Sequence, residues 1–249
     1  MKTKKSRVSV LLILLAVFFI VSSCETDEDA SPGNLTNGKT TAVFNSDVIY
    51  GKLTDQDGNV YKTVTIGTQV WMAENLRTTR YNDGTDIPNV TDNDEWATLT
   101  TGAFCNYNNT SNIDSIATYG RLYNWYAVNT GKLAPKGWHV PTDEEWTALT
   151  NYLGGESIAG GMLKETGTVH WNSPNIGATN ESGFTALPAG WRDYHGKFCT
   201  IGKYKGCWTA TGYDTDCAWM RNIFFNYIEV LRGDYADKDL GFSIRCVRD

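Results

Sequence analysis

Helical sequence signals are confined to the middle of this chain, from Tyr119 to Leu149, and this limits the folds open to it. Thr142 and Glu145 stand three residues apart, in the pattern of a capping box that starts a helix. The apolar positions of this helix follow at helical spacing as Trp146, Leu149 and Leu153. Gly154 then supplies a residue that can end the helix in the left-handed conformation. The sequence therefore predicts one well-marked helix directly after Pro141.

The same region predicts a first helix and a short strand. Leu122, Trp125 and Tyr126 share one helical face in a helix that would end near Gly131, and the residues up to Pro141 predict the strand. Gly, Asn, Thr and Tyr dominate both flanks, which predicts short strands and long loops. Aromatic side chains need a deep hydrophobic seat. We therefore expect an α+β domain with two helices packed on one side of a small sheet.

The N-terminus has the layout of a secretory signal. Four basic residues precede an apolar run from Val8 to Val21, which is too short to span a bilayer comfortably. The run ends in Val21-Ser22-Ser23-Cys24, which resembles a bacterial lipobox. We therefore predict a signal peptide over residues 1–23 and lipidation of Cys24, and acyl chains stabilise membrane attachment by roughly 0.8 kcal/mol per buried methylene. The alternative is an ordinary signal peptide that ends at a chance cysteine.

Residues 24–47 have the composition of a solvated tether, beginning with the acidic run Glu25 to Asp29. This acidic run resembles the signal that exports lipoproteins of Bacteroidetes to the outer face of the outer membrane, although a simple charged linker would read alike. Without residues 1–23 the chain keeps 18 of its 22 basic residues against 28 acidic ones, a balance of −10. That charge argues against nucleic acid as a partner.

The folded domain is predicted over residues 48–249. Asp57-Gly58 predicts a hairpin turn, Gly67-Thr68 a second one, and the alternation from Gly241 to Val247 a half-buried terminal strand. Acidic residues recur in two loops: Asp92, Asp94 and Glu95, and then Asp214 and Asp216. Their spacing lacks the glycine and distal glutamate of an EF-hand, so we predict no metal site, with loop-ordering by calcium as the alternative.

Five cysteines follow Cys24, an odd number for an exported protein. They are Cys105, Cys199, Cys207, Cys217 and Cys246. Because three of them cluster between residues 199 and 217, we expect one disulfide among those three, and a contact between Cys105 and Cys246. The zinc spacing of paired cysteines with nearby histidines is missing.

Five segments resemble the Fibrobacter succinogenes major paralogous domain family (FISUMP), which is common in lipoproteins of Bacteroidetes and Fibrobacteres. They are Thr54 to Val64, Gly67 to Leu76, Tyr119 to Val128, Gly137 to Thr142 and Gly241 to Cys246. The similarity runs from about Tyr50 to the C-terminus. The family's usual cysteine before the fourth segment is Ala134 in this chain, so the chain lacks the residue for a family disulfide at that position.

More distantly, the segment from Pro141 to Trp146 and the closing Gly-Phe-x-x-Arg-Cys-Val resemble the formylglycine-generating enzyme superfamily. That resemblance implies a C-type-lectin-like fold: two helices on a small twisted antiparallel sheet, long loops, and adjacent N- and C-terminal strands. In diversified proteins of this fold, the C-terminal strands and loops carry the ligand-binding face. The resemblance places that face between Tyr204 and Tyr235.

The density of aromatic, Arg and Asn side chains near the C-terminus favours a recognition surface, because rigid rings give contact area at low entropic cost. Alternation from Ala218 to Tyr227 puts two sets of side chains on opposite faces, and only one face can be core. The candidate ligand-binding residues are Trp208, Tyr213, Trp219, Arg221, Asn222, Phe224, Asn226, Tyr227, Arg232 and Tyr235.

These observations predict a lipid-anchored outer-membrane protein, exposed at the cell surface, that binds a glycan or a surface protein and catalyses nothing. No cofactor is expected. One alternative is an architectural surface protein without a specific ligand. Another is an oxidoreductase like the formylglycine-generating enzyme, for which Cys207 and Cys217 are the candidate redox pair although they stand ten residues apart.

Overall fold

The computed structural model describes residues 34–249, without the side chains of Asp234 and Tyr235. The strands are β1 (Gly51–Thr54), β2 (Val60–Ile66), β3 (Gln69–Met72), β4 (Phe104–Cys105), β5 (Leu122–Tyr123), β6 (Trp138–His139), β7 (Trp191–Arg192), β8 (Phe198–Cys199), β9 (Tyr204–Gly212), β10 (Cys217–Phe224), β11 (Val230–Asp237) and β12 (Val247–Arg248). The helices are α1 (Asn93–Trp96), α2 (Ile113–Tyr119), α3 (Trp125–Asn129), α4 (Asp143–Tyr152) and α5 (Glu156–Leu163), with a 3₁₀ turn at Tyr107–Asn109.

The described strands form four antiparallel sheets. A five-stranded sheet has the order β1-β2-β3-β12-β6, and a three-stranded sheet has the order β11-β10-β9. Two-stranded ribbons join β4 to β5 and β7 to β8. The strands outnumber the helices, so the prediction of an α+β class is confirmed, with the balance towards β structure.

Both predicted hairpin turns of the five-stranded sheet are present. Gly58 and Gly67 adopt positive φ angles of 77° and 62° at the two turns, where a side chain would be strained. The last strand of the chain, β12, then lies between β3 and β6: Val247 pairs with Trp71 on one side and with His139 on the other. The two ends of the domain are thereby joined in one sheet.

The better-marked helix is confirmed as α4. Thr142 accepts from the backbone N–H of Glu145 and the Glu145 side chain accepts from that of Thr142, which is the predicted capping box. Trp146 and Leu149 are fully buried on its inner face. Gly154 follows with a φ of 93°.

The predicted first helix is wrong in part, because a strand interrupts it. Leu122–Tyr123 forms β5, which pairs with Phe104–Cys105, and Tyr123 also bridges to Phe242. Helix α2 therefore ends before β5, and α3 covers only Trp125–Asn129. Tertiary pairing with two distant segments overrides the local helical pattern.

The three-stranded sheet contributes side chains to a hydrophobic core on each of its faces. Trp208 and Met220 belong to a core that includes Phe242, whereas Cys207 and Ile223 belong to a second core with Trp146 of α4. Residues 241–247 are likewise all buried: Ser243 and Arg245 are as inaccessible as Phe242 and Ile244. The expectation of a half-buried terminal strand is therefore wrong, because cores cover both of its sides.

Residues 34–47 are packed on the domain, although their composition predicts a flexible tether. Thr36 donates to Asn59 at 2.9 Å and accepts from Arg77 Nε at 2.9 Å. The backbone N–H of Val43 donates to the buried carboxylate of Glu165 at 2.6 Å. The polar residues of this segment are thus used for specific hydrogen bonds, which composition does not reveal. The signal peptide and Cys24 lie outside the described residues.

Each of the five cysteines after Cys24 is unbonded in the structure. The expected disulfide among Cys199, Cys207 and Cys217 is therefore wrong for this structure, and Cys105 and Cys246, for which a contact was expected, form no disulfide. The register of β9 and β10 supplies the reason: Cys207 lies opposite Arg221, and Cys217 lies four residues further along β10. At about 3.3 Å per residue the two cysteines are roughly 13 Å apart along the sheet.

Within the described residues, no helix combines the length and the apolar character needed to cross a membrane.

Candidate functional site: an aromatic cleft on the three-stranded sheet

Two of the predicted ligand-binding residues belong to the interior. Trp208 is fully buried and donates from Nε1 to the carbonyl of Tyr123 at 2.9 Å. Arg221 is 1% exposed. Its Nη2 donates to Thr147 Oγ1 at 2.9 Å and to the carbonyl of Asp143 at 3.0 Å. Arg221 holds the sheet against α4, Trp208 joins it to β5, and neither side chain is exposed to a ligand.

Asp143, the first residue of α4, forms ion pairs with two arginines. Arg232 donates to Asp143 Oδ2 from Nε at 2.9 Å and from Nη2 at 2.7 Å. Arg221 Nη1 lies 2.8 Å from Asp143 Oδ1, close enough for an ion pair but without the angles of a hydrogen bond. A carboxylate at this place also suits the helix N-terminus.

A small surface cluster, Tyr213–Trp219–Arg232, lies beside this ion pair. The Arg232 guanidinium stacks 3.7 Å above the Trp219 ring, and Tyr213 packs edge-on against the same ring with centroids 5.1 Å apart. The cluster contains three of the predicted residues, and two of them are exposed to solvent. Because Arg232 already covers the Trp219 ring, that ring is not an open platform for a ligand.

Two other predicted residues, Asn222 and Phe224, line a cleft of about 460 Å³ where β9 begins and β10 ends. This volume falls in the range of small-molecule sites. The aromatic cleft is lined by Trp191, Thr200, Lys203, Tyr204, Asn222, Phe224, Phe225, Leu240 and Phe242. Five of these nine residues are aromatic.

The rings of the aromatic cleft pack on one another in a fixed arrangement. Trp191 and Phe242 stack with centroids 5.8 Å apart and planes 25° apart. Tyr204 contacts Phe224 at 5.0 Å between centroids, and Trp208 supports Phe242 from below at 4.8 Å. Such ring pairs add about 0.5–1.5 kcal/mol each beyond their burial. The walls are therefore held by the core rather than by a loop.

The polar group inside the aromatic cleft is also fixed. The Tyr204 hydroxyl donates to Asn222 Oδ1, a bond between neighbouring strands β9 and β10. Burial raises the pKa of Tyr204 well above its ordinary value, so the phenol stays a donor at neutral pH. Gly206 lets the Phe242 ring pack directly against β9, because a Cβ at this position would lie 2.4 Å from that ring.

A buried lysine holds the turn that carries Phe224 and Phe225. Lys164 Nζ donates to the carbonyls of Ile176 and Tyr227 at 2.7 Å and to that of Phe224 at 3.1 Å. Burial lowers the pKa of Lys164 to about 8. The three carbonyls use the three donors of the ammonium, so this lysine fixes the wall of the cleft.

A family model, the Fibrobacter succinogenes major domain, matches residues 64–248. This chain belongs to that family. No curated protein matches the chain, and no solved structure does either. The Fibrobacter succinogenes major domain of this chain contains every lining residue of the aromatic cleft and every residue of the Tyr213–Trp219–Arg232 cluster.

Two of the remaining predicted ligand-binding residues, Asn226 and Tyr227, lie at the margin of the aromatic cleft. Tyr227 is 49% exposed and packs edge-on against Phe224, 5.8 Å between centroids. Asn226 precedes it in the same turn and is half-buried. The side chain of Tyr235 lies outside the described residues.

Four principal wall residues of the cleft were not among the predicted site residues: Trp191, Tyr204, Leu240 and Phe242. Their positions in the sequence span residues 191–242, and pairing between distant segments brings them together. Arg192 bridges to Gly241, which places Trp191 beside Phe242. The density of aromatic residues near the C-terminus points to the three aromatic members of this set, and no sequence signal points to Leu240.

One chain of polar contacts between the N-terminal segment and the Fibrobacter succinogenes major domain was not anticipated. His170 Nδ1 lies 2.7 Å from the fully buried Glu165 Oε2, and His170 Nε2 lies 2.9 Å from Thr41 Oγ1. Thr41 also contacts Thr118 Oγ1 at 3.0 Å. Hydroxyl, imidazole and carboxylate are the groups of a nucleophilic site. Since Glu165 also accepts from Val43, as described above, we assign this group to holding the N-terminal segment.

The acidic loops use their carboxylates on backbone donors. Asp92 caps α1 by accepting from the N–H of Glu95, and Asp214 accepts from the N–H groups of Asp216 and Cys217. In the part of the chain that the structure describes, no three His, Cys, Asp or Glu side chains are grouped so that they could hold a metal ion.

Proposed function

We propose that this protein is a non-catalytic recognition module and that the aromatic cleft is its ligand-binding site. One observation carries the proposal: a cleft of about 460 Å³ is walled by rings that the core holds in place. A preformed apolar cleft with a few polar groups is the usual form of a small-ligand site. Pre-organised walls also lower the entropic cost of binding.

We propose further that the domain has a C-type-lectin-like fold. Two features support this: α4 packs on sheets through Trp146 and Leu149, and the C-terminal strand β12 lies between β3 and β6. The position of the cleft on the C-terminal strands β9 and β10 is also the position expected for ligands in that fold. A solved structure of the chain would test the assignment by its chain topology.

The proposed cellular setting is the outer membrane, with the protein anchored by a lipid on Cys24 and exposed at the cell surface. A glycan or another surface protein is then the ligand class within reach. Metabolic labelling with an alkyne fatty acid tests the anchor: the label should be present on the wild-type protein and missing from Cys24→Ala. A label that persists in the variant would contradict lipidation at this residue.

Binding itself is tested with glycan and surface-protein arrays, using the chain from residue 25 onward. Phe224→Ala removes a half-buried wall of the cleft, and Trp219→Ala removes the centre of the Tyr213–Trp219–Arg232 cluster instead. We expect binding to be lost in Phe224→Ala and kept in Trp219→Ala. The opposite pattern would move the site to the cluster, and an absence of any binding would favour an architectural role.

The oxidoreductase alternative needs two cysteines close enough to act together. Cys207 is 1% exposed, and the register places it roughly 13 Å from Cys217. A pair at this distance cannot share a metal ion or form a disulfide without movement of the strands. The geometry therefore supports binding over this chemistry.

A further inference from the structure

The uncommitted polar groups of the aromatic cleft are all hydrogen-bond donors or hydroxyls. Asn222 Oδ1 accepts from Tyr204, whereas the Asn222 Nδ2 donor has no partner among the described residues. Lys203 is exposed at the cleft and forms no ion pair with any described residue. The lining contains no Asp or Glu. The cleft therefore carries one unpaired positive charge and lacks a negative one.

The apolar walls of the aromatic cleft set a second requirement for its ligand. The half-buried Trp191, Phe224 and Phe225 offer apolar surface to a ligand, whereas Leu240 and Phe242 are only 9% and 2% exposed and add little. Removing such apolar surface from water contributes about 25 cal/mol for each Å². A sugar can stack the C–H face of its ring on an aromatic ring, but the hydroxyls around its edge would then meet mostly apolar walls and lose their hydrogen bonds at about 1–3 kcal/mol each. An occupant with an apolar body and a single polar end avoids this cost.

We propose that the aromatic cleft binds a small carboxylate with an apolar body, such as an aryl or alkyl acid. The body lies against the Trp191, Phe224 and Phe225 rings, and the carboxylate meets the Lys203 ammonium at the rim. This inference rests on the proposed function, since it keeps the aromatic cleft as the binding site, but it proposes a small acid rather than a glycan as the ligand. The volume of the cleft accommodates one or two rings.

Isothermal titration calorimetry at low ionic strength tests the proposal with 3-phenylpropionate, indole-3-propionate and octanoate. The neutral isostere 3-phenylpropionamide and methyl β-glucoside are titrated alongside. We expect the acids to bind and the amide to bind about two- to fivefold more weakly, the range for an exposed charge pair. The arms with aryl and alkyl acids distinguish which apolar body the walls prefer.

Variants separate the charge from the walls. Lys203→Gln should lower the affinity for 3-phenylpropionate to that for the amide and leave the amide unchanged. Lys197→Gln is the matched control, because Lys197 is exposed nearby but does not line the cleft, and it should change nothing. Phe224→Ala should weaken acid and amide together.

Equal binding of acid and amide, or an acid affinity that Lys203→Gln does not change, would overturn the carboxylate assignment. So would binding of the glucoside in preference to the acids, or no binding of any acid at about 10 mM. The proposed function is judged separately: an array ligand that binds wild type but not Phe224→Ala keeps the cleft as the binding site even if every acid fails.

Discussion

The guanidinium of Arg245 lies over the ring of Phe184, 4.6 Å from its centroid, and Arg245 Nη1 donates to the carbonyl of the same residue at 2.7 Å. The other donors reach Met72, Thr185 and Asn75 at 2.7 to 2.9 Å. One buried side chain thus joins the C-terminal segment, strand β3 and the loop before β7.

Replacing this arginine should be among the most damaging single changes. Arg245→Met removes the guanidinium and leaves the buried carbonyl oxygens of Met72, Phe184 and Thr185 without this donor, each at about 1–3 kcal/mol, so we expect the free energy of unfolding to fall by about 3 kcal/mol or more. Urea unfolding followed by fluorescence measures it. Arg248→Met is the control, since Arg248 is exposed in β12, and an equal loss in both variants would contradict the role of Arg245.

The two arginines on Asp143 should differ sharply in their contribution to stability. The Arg221 side chain is fully buried, so Arg221→Ala leaves the Asp143 carboxylate partly unpaired and should cost about 3–5 kcal/mol. The Arg232 side chain is 43% exposed, and Arg232→Ala should cost less than about 1 kcal/mol. Chemical denaturation of both variants tests this order, and similar losses would refute it. A binding defect in Arg221→Ala would then reflect unfolding rather than a lost ligand contact.

His139 should make stability depend on pH. Partial burial lowers its pKa, but hydrogen bonds to the Asp249 and Glu145 carboxylates, 2.7 and 2.8 Å away, outweigh this and raise the pKa above 6.5. The stabilisation is complete below the unfolded pKa and is lost as pH rises through the higher folded pKa. The fall in melting temperature from pH 6 to pH 8 should therefore be larger in wild type than in His139→Gln. His195→Gln, at an exposed loop position, should behave like wild type.

The sequence predicted those elements whose signals are local. Helix α4 could be recognised because the capping box, the apolar spacing and the final glycine all lie within thirteen residues. Strand β5 could not, because Leu122 and Tyr123 follow helical spacing and are drawn into a ribbon by Phe104–Cys105 and Phe242. Local helix propensity is overridden where pairing with distant segments buries more of the side chains.

The sequence predicted the region of the candidate site but not most of the residues that form its walls. Asn222 and Phe224 were identified from the density of aromatic and amide side chains, and both line the cleft. Their partners Trp191 and Phe242 come from other segments, and a bulge between Ala218 and Met220 shifts the simple alternation along β10. Arg221 is covered by α4 through its bonds to Asp143 and Thr147, whereas Trp219 stays half-buried beside Arg232, and alternation along one strand does not reveal that difference.

The stability of the domain should be sensitive to a single methyl group added at Gly160 in α5. A Cβ at Gly160 would lie 2.2 Å from the carbonyl oxygen of Glu229, so the helix and the start of β11 would have to separate. Gly160→Ala should therefore destabilise the domain by about 1–3 kcal/mol despite the better helix propensity of alanine. Gly212→Ala is the matched control, because its Cβ would meet only Trp125 at 3.5 Å. Thermal melting of both variants decides it, and equal melting temperatures would contradict the close packing.

The cysteines should behave as five thiols of two classes. Cys105, Cys207 and Cys246 are buried, whereas Cys199 and Cys217 are half-buried. Burial raises the pKa of Cys105 to about 12, and burial followed by the Asp237 and Asp214 carboxylates raises that of Cys217 to about 11.

Since the thiolate is the reactive form, alkylation should be slow even at the two accessible sites and should accelerate with pH. Native Cys24→Ala protein treated with iodoacetamide should gain at most two labels, and protein unfolded in urea without reductant should gain all five. Mass spectrometry counts the labels, and peptide mapping should place the native ones on Cys199 and Cys217. If two cysteines are modified in urea only after a reductant is added, those two form a disulfide and the unbonded arrangement is refuted.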